Sequence, residues 1–147
     1  MNKPQNKAIE NCLRKSIADI VAAFPSIQVM YLFGSHAAGR QRADSDVDIA
    51  VFTDGSESPT MDLELGVFIK QQIGSPVDVV VMHKVSPLLK HEVLRNKIRI
   101  YERDPSLRAV QEAIAFHEYM DARHYQQKRF AGRKRNGQHT PHSAIAE

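Results

Sequence analysis

Two aspartates one residue apart, Asp46 and Asp48, head the apolar run DVDIAVF, and a Gly-Ser pair, Gly34 and Ser35, closes the run IQVMYLF ten residues earlier. In an extended chain alternate side chains share a face. Asp46 and Asp48 would then point the same way with backbones about 6.6 Å apart, while Val47, Ile49 and Val51 face a core. Two carboxylates converging this closely raise one another's pKa unless a cation neutralises them. A hard divalent ion such as Mg²⁺ is the natural occupant. Two such ions, about 4 Å apart, can clamp an attacking oxygen and a triphosphate in an in-line displacement. Gly34 lets backbone approach phosphate closely, free N–H groups at a helix start beyond it attract phosphate oxygens, and Ser35 adds a hydroxyl donor. A third carboxylate, Asp78, lies inside the otherwise apolar run VDVVVM. An acid buried there needs a partner, which a metal ion or a substrate hydroxyl supplies, so Asp78 is expected as a further ligand or as the base that activates a nucleophile.

The elements that must position these residues are legible from periodicity. Ile9, Leu13, Ile17, Ile20, Val21 and Phe24 recur at helical spacing and stop before Pro25, predicting an amphipathic helix. IQVMYLF and DVDIAVF read as strands, with room for one short helix and a turn between them. MDLELGVFIKQQIG predicts a second long helix with Leu63, Val67 and Phe68 on its inner stripe and Gly74 as its stop. VDVVVM supplies a third strand and KIRIY a fourth. Between them SPLLKHEVLRN is a helix started by a Ser86 cap and Pro87. PSLRAVQEAIAFHEYMDARHYQQKRF forms the last helix, with Leu107, Val110, Ile114 and Tyr119 on one face. The order predicts an α/β (α+β) fold, a mixed sheet of about four strands with helices packed on it.

The chain has 147 residues, 42% of them apolar and 25% charged, the balance of one soluble globular domain. A single cysteine, Cys12, excludes an intramolecular disulfide framework and suits a reducing compartment. With no apolar run long enough to cross a membrane and no signal-peptide core at the start, a cytoplasmic location is expected. The net charge of +3 sits in the tail: residues 128–147 hold five Lys/Arg and one acid, leaving fifteen basic and sixteen acidic residues in the first 127. Residues 1–127 are therefore expected to form one domain and 128–147 a basic disordered tail, and direct nucleic-acid binding is not expected.

Other polar residues have plainer readings. Asp44 and Ser45 suit a turn, Arg40 and Arg42 a solvated loop, and His36 a local hydrogen bond. His117 and His124 lack the company of a metal site and belong on a surface. Tyr101, Tyr119 and Tyr125 are most simply packing residues, though aromatic residues on the last helix also suit an interface.

GSHAAGRQRADSDVD resembles the Gly-Ser, ten residues, Asp-x-Asp signature of the polymerase-β-like nucleotidyltransferases, and with Asp78 the likeness covers roughly residues 26 to 101. The short chain and the long helix after YERDPSLRAV resemble the minimal nucleotidyltransferase (MNT) antitoxins of HEPN/MNT toxin-antitoxin pairs. That resemblance implies a metal-dependent enzyme with ATP as substrate, transferring AMP to a tyrosine of a HEPN-domain RNase toxin. It implies Gly34 and Ser35 at the nucleotide and Asp46, Asp48 and Asp78 at the metal, a pair of Mg²⁺ ions, and at the reacting hydroxyl. Two alternatives stand beside it: transfer to a small molecule of the aminoglycoside kind, and a catalytically idle module that neutralises a toxin by occupying it.

Overall fold

The computed structural model describes residues 3–39 and 45–137. Its elements are α1 (Lys3–Ala23), β1 (Ile27–Phe33), α2 (Gly34–Ala37), β2 (Val47–Thr53), α3 (Met61–Ile73), β3 (Val77–Val81), α4 (Pro87–Arg95), β4 (Ile98–Glu102) and α5 (Pro105–Gly137), with one 3₁₀ turn at Met82–Lys84. The strands form one mixed sheet in the order β3-β2-β1-β4. β1 runs antiparallel to β2 and to β4, and β2 runs parallel to β3. The expected four-stranded architecture is therefore the observed one. The expected Arg40, Arg42 and Asp44 positions, and residues 138–147, lie outside the described residues.

Each face of the sheet has its own core. On one, Leu13 and Ile20 of α1 and Met61, Leu65 and Ile69 of α3 pack over Met30, Leu32, Ile49 and Val51. On the other, Val29, Tyr31, Ala50 and Phe52 meet Met82 and Val93. Strand alternation assigns the carboxylates: Asp48 sits between inward-facing Val47 and Ile49, so it shares the second face with Ala50 and Phe52.

Helix boundaries follow their local signals. Ser86 caps α4 by accepting from the Leu89 amide at 3.3 Å, with Pro87 in the first turn. Gly74 ends α3 in the left-handed region (φ 73°), its amide donating to the Lys70 carbonyl at 2.8 Å.

Two expected faces are corrected. In α3 the buried stripe is Met61, Leu65 and Ile69, whereas Leu63 and Val67 are 68% and 61% exposed; Phe68 packs at the core margin. Both stripes obey i, i+4 spacing, and only the lie of the helix against the sheet and α1 selects one. In α5 Val110 and Ile114 are 54% and 53% exposed. The docking face is instead a set of polar residues around one small buried apolar residue, Ala115. Buried Tyr31 donates to Glu112 at 2.7 Å, Arg108 pairs with Glu112 at 3.1 Å and with Glu102, and Gln111 donates to Gln28 at 2.7 Å. Burial lifts the Glu112 carboxyl, but the Tyr31 hydroxyl, Lys97 and Arg108 outweigh it and hold it below the usual carboxylate range. Further along, Tyr119 stacks on His91 with ring centroids 3.7 Å apart. α5 then continues to Gly137, seven residues past its expected end at Phe130. Among the described residues no helix is long and apolar enough to cross a membrane.

Candidate active site

β1 ends at Phe33, which lies opposite Asp48 in the antiparallel register, so the next residue must turn away directly beside β2. Gly34 makes that turn with φ 71° and opens the short helix α2. An L side chain is disfavoured there on two counts. The φ lies in the left-handed region, and a Cβ on Gly34 would stand 2.2 Å from Asp48 Oδ2. The Asp48 carboxylate thus rests directly on the Gly34 backbone, and Ser35 follows half-buried in the same turn. The Gly-Ser pair and Asp48 are brought together as the sequence requires.

In the parallel register Asp78 is the direct partner of Asp48, on strands about 4.8 Å apart, so both carboxylates share a face of the sheet. Two details differ from expectation. Asp78 is exposed, because β3 is an edge strand and water reaches its side chain. Asp46 is also exposed and lies one residue before β2, outside the ladder, since the strand begins at Val47.

The electrostatics single out Asp48. Burial first, then the neighbouring carboxylates of Asp78 and Asp46, push its carboxyl above the usual range, with His36 acting in the opposite direction. A half-buried carboxylate flanked by two others is a group that gains from a cation, since a divalent charge reverses each of these penalties. Among the described residues no three His, Cys, Asp or Glu side chains are gathered closely enough to hold a metal unaided.

His36 carries more than its sequence suggested. It is a local hydrogen-bonding residue, as expected, its Nε2 lying 3.3 Å from the Ser45 carbonyl. It is also only 4% exposed, and its Nδ1 is buried with no hydrogen-bond partner among the described residues. Its place next to Ser35 was the only signal available. His117 and His124 are exposed, Tyr101 packs against the core margin, and Tyr125 is exposed instead of packed.

The family profile described as Polymerase beta, Nucleotidyltransferase matches residues 15–106, a span that takes in Gly34, Ser35, Asp46, Asp48 and Asp78. The chain is similar to the protein adenylyltransferase MntA of Shewanella oneidensis, 30% identical over 115 residues that cover 77% of this chain and 80% of that protein. It is similar in structure to a chain of a crystallised toxin-antitoxin with AMP-PNP, at TM-score 0.71 and 22% identity over 81% of this chain and 96% of that one. A second likeness is to a chain of the tri-AMPylated Shewanella oneidensis HEPN toxin in complex with MNT antitoxin. There the TM-score is 0.62 and the identity 23%, over 83% of this chain and 93% of that one.

Proposed function

The chain belongs to the polymerase beta nucleotidyltransferase family, and from that membership and the site geometry we propose that it is an antitoxin that transfers AMP from ATP to a tyrosine of a HEPN RNase toxin. The observation that carries the proposal is the seating of the Asp48 carboxylate on Gly34, which joins the phosphate-binding turn to the metal-binding strand at one point. The curated relative is a protein adenylyltransferase, and the similar solved complexes hold AMP-PNP in one case and an AMPylated HEPN toxin in the other.

In this reading the backbone of Gly34 and Ser35 receives the triphosphate and the Ser35 hydroxyl donates to it. Asp46 and Asp48 hold Mg²⁺, with Asp78 beside them. When bound, the ion neutralises phosphate charge and aligns the displacement. Asp78, exposed and across the register from Asp48, accepts the proton of the incoming hydroxyl as its oxygen bonds to the α-phosphorus and pyrophosphate departs. Exposure suits that role, because a protein acceptor must reach the carboxylate from solvent. All five residues lie within 1–127, which we take as the catalytic domain, acting in the cytoplasm where ATP is supplied.

The test is to incubate the chain with labelled ATP, Mg²⁺ and the HEPN protein encoded beside it. Label on a partner tyrosine, lost when Asp46 and Asp48 are both replaced by Asn, is the expected result. ATP bound with no label transferred, or full protection of cells by the double variant at normal expression, would reject catalysis in favour of simple occupancy.

A further inference from the structure

Asp46 poses a positional problem, because it stands outside the β-ladder and its carboxylate has to meet the one on Asp48. The residue after it is fixed: the Val47 amide donates to the Pro76 carbonyl at 2.8 Å, the first bond between β2 and the β3 side. The residue before it, Ser45, is fixed from the phosphate-binding turn. There His36 Nε2 lies 3.3 Å from the Ser45 carbonyl oxygen. A carbonyl only accepts, so Nε2 carries the hydrogen and donates it. The ring is almost wholly buried, and its other nitrogen has no partner among the described residues. A buried imidazole that leaves one nitrogen unsatisfied is costly to keep, and the contact to Ser45 is the polar function it serves.

We propose that His36 is a positioning residue, holding the Ser45 carbonyl so that Asp46 is clamped between two backbone anchors and aimed beside Asp48. Its effect on Asp46 is indirect and is transmitted by one peptide unit. Because α2 also carries Gly34 against Asp48, the same four-residue helix sets both carboxylates relative to the phosphate-binding turn. The inference rests on the nucleotidyl-transfer reading for its kinetic consequence and on geometry alone for its structural one.

Two substitutions separate the donor from the bulk of the ring. In His36→Gln the side-chain amide nitrogen reaches about as far as Nε2, whereas in His36→Asn it reaches only as far as Nδ1. Hydrogen exchange of the peptide containing residues 45–48, in the full chain with Mg²⁺ and AMP-PNP, is expected to quicken about tenfold in His36→Asn and to stay near wild type in His36→Gln. Transfer by His36→Asn is expected to lose about 10- to 100-fold in kcat with the KM for ATP changed less than about threefold, since the Gly-Ser turn is untouched. Unchanged exchange in His36→Asn overturns the proposal, as does a His36→Gln variant as impaired as His36→Asn. If His36→Asn does not fold, His36→Gln decides alone, and a tenfold rise in its exchange at 45–48 overturns the proposal. Should wild type transfer nothing, the functional reading fails while the exchange comparison still decides the role of His36.

Discussion

Replacing Gly34 by alanine puts a methyl group into the one contact that joins the two halves of the site. The ideal Cβ would lie 2.2 Å from Asp48 Oδ2, 3.0 Å from its Cγ and 3.3 Å from its Cβ, so the carboxylate stands more than about 1 Å inside ordinary van der Waals contact. The backbone contributes separately, since φ 71° costs an L residue about 1–2 kcal/mol. Turning Asp48 off its rotamer adds about 0.5–1.5 kcal/mol. Together these lower stability by about 2–3 kcal/mol, or about 5–10 °C in Tm for a chain of this size. With Asp48 in its proposed role as a metal ligand, its displacement by about 1 Å costs about 100-fold in transfer. The control is Gly74→Ala, where φ is 73° and nothing lies within 4 Å of the added Cβ. It shares the backbone penalty without the collision, so it should lose Tm and keep full specific activity. The assays are thermal melting and AMP transfer at saturating ATP. If Gly34→Ala keeps transfer within threefold of Gly74→Ala, the claim that Asp48 rests on Gly34 is wrong.

Three further outcomes follow from the same geometry. Asp48 has a folded-state pKa raised above its unfolded value, so its contribution to stability is present at low pH and lost as pH rises through the folded pKa. Metal-free Asp48→Asn should therefore melt higher than metal-free wild type at neutral pH, with the gap closing in acid; a gap independent of pH between 4 and 8 refutes the electrostatic account. Tyr31→Phe removes the 2.7 Å bond to Glu112 beneath α5 and should cost about 1–2 kcal/mol, read as a lower urea midpoint with transfer unchanged per folded molecule. Ser86→Ala removes the α4 cap and should lower Tm by about 2–4 °C with no kinetic effect, which parallel melts and rate measurements check.

The strand and helix order was legible because the periodicities are strong and the punctuation is unambiguous. Pro25, Gly34, Gly74 and the Ser86-Pro87 pair each end or begin an element where their backbone preferences require it. The inner face of α3 was not legible. Met61, Leu65 and Ile69 form one apolar stripe and Leu63 with Val67 another, and periodicity gives the same score to both. The docking of α5 escaped for a different reason. A helix held by Tyr31, Glu112, Arg108 and Gln111 leaves little hydrophobic signature, since its partners are polar residues far away in sequence. Asp78 looked buried because its neighbours are valines, a pattern that an edge strand also permits.

By itself the sequence determined the chemistry on offer: Gly34-Ser35 ten residues before Asp46 and Asp48, strands on either side, and Asp78 on a third. Residue type and spacing suffice for that, because strand alternation is a local property of the backbone. Only the tertiary structure decided that Asp48, not Asp46, is the carboxylate pressed on the Gly34 turn, that Asp78 faces solvent beside it, and that buried His36 reaches the Ser45 carbonyl. Those facts depend on the register between strands and on the path of a helix over a sheet. Both are fixed by long-range packing, which no local pattern of residues encodes.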